Sequence, residues 1–173
     1  MCASLRRETA ETEVEIDLDL DGSGQSEVET GIPLMDEMLR NLARASGFDL
    51  KVRARGDLFT GDHHTVEDVA ITLGSVLGEL AKEGMGSSRA PSGECLALAA
   101  IRFGEPAYSG DFEFEAEELE GVQLENITHV MKSLAYNGRF TLHLKADGGD
   151  DWQKIEAMTL ALGRALKRAI QDE

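Results

Sequence analysis

From Val14 to Leu20 apolar residues alternate with acids: Val14, Ile16, Leu18 and Leu20 against Glu15, Asp17 and Asp19. That alternation predicts a strand with one wet face. Asp21-Gly22-Ser23-Gly24 is turn chemistry, and residues 26–30 (SEVET) are expected to return as the second arm of a hairpin. Pro33 opens a helical pattern through Leu34, Met38, Leu39 and Leu42, since proline suits a first helical position. Phe48, Leu50 and Val52 alternate as a third strand, and residues 65–82 carry Val66, Val69, Ala70, Leu73, Leu77 and Leu80 at helical spacing. Downstream the pattern predicts a strand at 95–103, another at FEFE (112–115), a helix near 122–136, a strand at 139–146 and a helix from about 151.

The second series repeats the first. Residues 61–74 (GDHHTVEDVAITLG) lie over 150–163 (DDWQKIEAMTLALG), matching Asp62 to Asp151, Glu67 to Glu156, Leu73 to Leu162 and Gly74 to Gly163. Residues 36–57 lie over 128–149, matching Leu42 to Leu134, Phe48 to Phe140 and Ala54 to Ala146, and Glu11 lies over Glu94. Three blocks in the same order indicate a duplication. The expected fold is therefore α+β: two tandem β-β-α-β-α half-domains, each a small sheet with helices on one face, packed as one unit. The halves are placed at 1–90 and 91–173.

Composition narrows the function. The chain has 173 residues, with 33 Asp+Glu against 17 Lys+Arg and a formal charge of −16. That balance argues against a nucleic-acid or anionic-membrane partner, whose affinity comes mainly from Lys and Arg. The longest apolar run, 95–101, has strand length, well short of a membrane span. The first 13 residues lack the apolar core of a secretory signal, so a cytoplasmic location is expected. Cys2 and Cys95 make no disulfide framework, and Cys95 reads as a packing residue.

Of the four histidines, two adjoin in Asp62-His63-His64-Thr65-Val66-Glu67 at the start of a predicted helix. His63 and Glu67 stand one turn apart, so one helix face can offer an imidazole and a carboxylate to a single cation. The competing reading of that spacing is a capping Asp62 beside two surface histidines. In the second half Trp152-Gln153-Lys154-Ile155-Glu156 keeps the carboxylate and loses both imidazoles, while His129 occupies the position of Glu37. Two helix pairs about a pseudo-twofold axis give two candidate ligand sets, His63/Glu67/His129 and Glu37/His64/Glu156. Imidazole with carboxylate suits zinc, manganese or iron. His143, between Leu142 and Leu144, reads as a structural, hydrogen-bonded histidine facing away from the apolar side.

These residues resemble the imidazoleglycerol-phosphate dehydratase family of histidine biosynthesis. The likeness is carried by RETAET (7–12), LDLDGSG (18–24), TGIPLMDEML (30–39), GDHHTVEDVAITLG (61–74), TLHL (141–144) and IEAMTLALGRAL (155–166). It implies a cytoplasmic, metal-dependent hydro-lyase, using manganese at one or two ions per site. The substrate is a small imidazole phosphate, and the chains form a 24-subunit homo-oligomer with active sites at subunit contacts. In that family two ions grip the imidazole nitrogens of the substrate while water is removed. Carried over by position, His63, Glu67 and His129 match ligands of one ion, and His64 and Glu156 match ligands of the other. Glu37 stands where the family has a histidine of the second set and can still ligate. Glu11 matches the catalytic, substrate-contacting glutamate, and Arg89 an arginine on the phosphate.

Several positions depart from the family pattern. Trp152 and Gln153 replace two histidines, Glu105 replaces an arginine of the phosphate site and Leu160 replaces a lysine. Removing phosphate cations and adding an anion weakens anion binding in a desolvated site. Two alternatives to the active dehydratase therefore stand at this point. One is an impaired homologue with a structural, metal-binding or regulatory role; the other is a lyase for a related substrate without phosphate.

Overall fold

The computed structural model describes residues 1–56 and 62–171. Gly61 of the GDHH motif and Asp57 of the repeat lie outside the described residues, as do the last two positions. The first half runs β1 (Cys2–Glu8), β2 (Thr12–Asp19), β3 (Ser26–Glu29), α1 (Pro33–Ser46), β4 (Asp49–Gly56) and α2 (His63–Leu80). The second runs β5 (Met85–Ser92), β6 (Cys95–Phe103), β7 (Ala107–Asp111), a small hairpin β8 (Glu118–Leu119) and β9 (Val122–Gln123), α3 (Asn126–Gly138), β10 (Phe140–Asp147) and α4 (Asp151–Gln171).

Each half builds a four-stranded sheet of the same topology, β1-β2-β4-β3 and β5-β6-β10-β7. The repeat unit thus carries one strand more than expected, since β1 and β5 lead the two halves. Because β5 pairs along its whole length with β6, the second sheet begins at Met85, ahead of position 91. The hairpin expected at 26–30 does not form. β2 is flanked by β1 on one side and β4 on the other, both antiparallel, so β3 takes the free edge of β4 in parallel. FEFE is also no strand. The ladder ends at Asp111, and Phe112 and Phe114 pack as partly buried side chains 5.6 Å apart.

Helices α1 and α2 cover the first sheet, α3 and α4 the second, and the layers meet through α2 on α3 and α1 on α4. The core lies on the inner faces. Val14, Ile16 and Leu18 of β2, Leu50 and Val52 of β4, and Leu142 and Leu144 of β10 are buried, as the alternation predicts. Gly74 and Gly163, matched by the repeat, explain the close helix contacts. A Cβ on Gly74 would sit 2.7 Å from the Leu134 carbonyl oxygen, and one on Gly163 2.7 Å from the Ala45 Cβ. Each glycine lets a helix of one half approach a helix of the other.

Polar anchors serve the fold as well. Asp49 accepts the backbone N–H groups of Ser23 and Gln25, both at 2.9 Å, and those bonds hold its carboxyl below the usual range. Burial pushes the Cys95 thiol up, as befits a packing residue. No helix among the described residues is long and apolar enough to cross a membrane.

Candidate metal centre

The site assembles where the start of α2 meets the start of α3. Asp62 precedes α2, but its carboxylate caps nothing on its own helix. It is buried and accepts instead from the Gln123 N–H at 3.3 Å and the Asn126 side-chain amide at 3.2 Å. Its repeat partner Asp151 plays the same part, accepting the Glu115 and Ala116 N–H groups at 2.8 Å. In each half the aspartate at the helix start pins a segment of the second half's β7–α3 connection.

Asn126 fixes His63. Its NH2 faces Asp62, so its Oδ1 faces the His63 Nδ1, 3.2 Å away. An amide oxygen only accepts, so Nδ1 carries the ring proton. The other nitrogen, Nε2, faces the Glu67 Oε2 at 3.1 Å. In a neutral ring both of these atoms are acceptors, and a proton on the ring or a shared cation could bridge them. Two donors about 2.1 Å from one ion at a right angle lie roughly 3 Å apart, so the separation fits shared coordination. His129 stands on α3 with its ring centroid 5.8 Å from that of His63 and nearly perpendicular to it. Of the first predicted set, His63 and Glu67 therefore meet within one chain, with His129 beside His63, all open to solvent. Asn126 and Asp62 orient it, a task that spacing alone did not assign to them; the signal was Asn126 one helical turn before His129.

His64 turns to a different neighbour. Its Nδ1 lies 2.6 Å from the Glu11 Oε2, and its ring centroid is 5.7 Å from that of His63. Glu11 sits in the β1–β2 turn, where the Thr9 hydroxyl accepts the N–H groups of Glu11 and Thr12. Buried Asp68 of α2 holds that turn in place, taking the Thr12 hydroxyl and, at 3.3 Å, the Arg7 guanidinium.

The other predicted residues are not brought to this cluster. Glu156 accepts from the Ser92 hydroxyl at 3.3 Å, and Glu37 lies 3.9 Å from Arg40. Arg89 projects from the outer face of β5, away from the helices. Leu160 and Trp152 pack against the core. Gln153 caps α4 reciprocally: its Oε1 accepts the Asp150 N–H at 3.0 Å, and Asp150 accepts the Gln153 N–H at 2.8 Å. His143 is exposed on the outer face of β10, as its alternation predicts, but among the described residues its ring makes no hydrogen bond, so the structural role expected of it is not seen.

Among the described residues no three His, Cys, Asp or Glu side chains converge closely enough to hold a metal unaided. Within one chain the first set offers a divalent cation a partial shell, and His64, Glu156 and Glu37 of the second set each face a different neighbour.

Comparison with known proteins decides the family. The family model described as imidazoleglycerol-phosphate dehydratase matches residues 30–166. The chain belongs to the imidazoleglycerol-phosphate dehydratase family. It is 39% identical to the imidazoleglycerol-phosphate dehydratase of Methanosarcina barkeri over 98% of this chain and 92% of that one. Against the Methanothermobacter thermautotrophicus dehydratase it is 41% identical, covering 96% and 89%. It also matches the histidine biosynthesis bifunctional protein HisB of Bacteroides fragilis at 37% identity, spanning 46% of that longer chain. Among solved structures, the Staphylococcus aureus dehydratase superposes with a TM-score of 0.87 at 27% identity over 98% of both chains. The Pyrococcus furiosus enzyme, in complex with (S)-C348, gives 0.85 at 28% identity over 98% of this chain and 94% of that one. The duplicated α+β architecture is the family's own.

Proposed function

We propose that this chain is a metal-dependent imidazoleglycerol-phosphate dehydratase. The single observation that carries the reading is the His63–Glu67 pair, oriented by Asn126, in a chain of this family. His63, Glu67 and His129 would hold the cation, which is manganese by the family resemblance. A divalent ion there supplies Lewis acidity toward the electron-rich imidazole of the substrate. The protein's own part is proton handling. The reaction removes a hydrogen from one glycerol carbon and a hydroxyl from its neighbour, releasing water and leaving an enol that becomes the ketone. Glu11, against His64, is the carboxylate that accepts the carbon-bound proton, and the imidazole beside it keeps that carboxylate oriented.

The reading includes a homo-oligomer, because one chain offers only part of a metal shell. Exposed leucines on the outer face of the second sheet support it: Leu96 is 53% exposed, with Leu98 two positions along the same strand. Arg89 lies on that face too, so it serves the phosphate only across a contact between copies.

Turnover of imidazoleglycerol phosphate tests the proposal. The purified protein with added manganese should form the ketone product and lose activity on chelation, and Glu11→Gln should slow turnover by about 100-fold or more. A folded, manganese-loaded protein with no turnover would contradict it. That result would favour the second reading, a non-catalytic homologue with a metal-binding or structural role. Specific observations already lean that way: Gln153 is spent on capping, Leu160 on packing, and Glu105 carries a negative charge where the family has a positive one.

A further inference from the structure

The repeat supplies an internal control for the turn that carries Glu11. In the first half Asp68 of α2 takes the Thr12 hydroxyl and the Arg7 guanidinium beneath that turn. Strand register and the helix repeat put Ala90, Cys95 and Ala157 at the places of Arg7, Thr12 and Asp68. All three are buried. The second half thus packs small apolar side chains where the first sets an ion pair and a hydroxyl, so the fold itself does not require them. Withdrawing charges from water is costly, and apolar replacement of such a pair is often neutral or stabilising. Something other than folding keeps the network in the first half.

Helix geometry shows what it serves. His63 and Glu67 stand one turn apart on α2, with His63 bonded to α3. His64 and Asp68, one position further along, are also one turn apart and both face the β1–β2 turn. A carboxylate only accepts, so the Thr12 hydroxyl donates to Asp68. The Thr12 oxygen then accepts from the Thr9 hydroxyl at 3.0 Å. The Thr9 oxygen in turn accepts the N–H groups of Glu11 at 3.2 Å and of Thr12 at 3.0 Å. One buried carboxylate therefore sets the direction of a hydrogen-bond chain that ends on the backbone of Glu11. From that backbone the Glu11 carboxylate reaches His64 at 2.6 Å. We infer that Asp68 is a positioning residue, which acts through Thr12 and Thr9 to hold the Glu11 carboxylate at His64. The inference rests on the reading of Glu11 as the proton acceptor and deepens it.

Turnover of imidazoleglycerol phosphate by the intact protein with manganese tests this, beside hydrogen exchange of the turn followed by mass spectrometry. Asp68→Asn keeps the shape, but its amide accepts through one oxygen only and turns an NH2 toward the other donor. It should lower kcat by roughly 10- to 100-fold with KM nearly unchanged, and speed exchange at the Glu11 and Thr12 amides. Added to Glu11→Gln it should cost no further rate, because both changes act through one group. Thr12→Val should reproduce the loss, and Thr12→Ser, which keeps the hydroxyl, should restore the rate. That pair makes the same test where Asp68→Asn does not fold. A wild-type kcat in Asp68→Asn, or a double variant slowed by the product of the two separate losses, would overturn the inference and leave Glu11 as the acceptor. Undiminished turnover in Glu11→Gln would overturn the reading beneath it. No turnover in the wild type would overturn the dehydratase reading, and exchange at the turn left unchanged by Asp68→Asn would overturn the positioning separately.

Discussion

At the scale of single residues, the site depends on an amide that can be oriented in only one useful way. Asp62, buried and accepting, takes the NH2 of Asn126, which leaves the amide oxygen for His63 Nδ1 and turns Nε2 toward Glu67. Groups that orient a ligand imidazole typically change metal affinity or activity by about 10–100-fold. Asn126→Ala should therefore weaken manganese binding by that factor. Manganese titration checks it beside a thermal melt, because a purely structural role would lower the melting temperature and leave the affinity of the folded protein unchanged. His63, Glu67 and His129 were legible in the sequence, since helical spacing and the internal repeat select them, whereas Glu11 was singled out by the family resemblance. Asn126, Asp62 and Asp68 were not, because their importance lies in partners more than 50 positions away. Arg89 is a different case. Its position in the family motif suggested a phosphate ligand, and strand alternation sets it on the outer face of β5, where only a neighbouring copy could share the phosphate with it.

At the scale of elements, periodicity read every helix and every central strand, because those are half-buried and must alternate. It missed β1 and β5 for one shared reason. Both are sheet edges: CASLRRE is solvent-exposed along nearly its whole length, and MGSSRAPS carries glycine, serine and a proline that an edge tolerates. The same blindness explains β3, whose partner depends on which edge is free rather than on its own sequence. The repeat of Gly74 and Gly163, visible in the sequence without a reason, acquires one in the helix contacts. Gly74→Ala would press a methyl onto the Leu134 carbonyl, 2.7 Å away, with α3 backbone unable to yield cheaply. Overpacking of this kind costs about 1–3 kcal/mol. Thermal denaturation should show a drop of several degrees; an unchanged or raised melting temperature would mean that α2 and α3 are not so tightly apposed.

At the scale of the molecule, the two sheets present different outer faces. On the first, Glu13, Glu15 and Asp17 of β2 stand opposite Arg55, Arg53 and Lys51 of β4, a ladder of opposite charges. On the second, Leu96 and Leu98 stand on the face where a soluble sheet would carry polar groups. Exposed apolar patches of this sort mark contacts between proteins. Leu96→Lys together with Leu98→Lys should shift the mass seen by light scattering from a multiple of 18.8 kDa toward the single chain; an unchanged assembly would place the contact elsewhere. The proposed function rests on a cation between α2 and α3. Anomalous diffraction from crystals grown with manganese measures it most directly. The predicted result is a peak within bonding distance of His63 Nε2 and Glu67 Oε2. An empty cleft there, or a peak at Glu37 and Glu156 in its place, would contradict it.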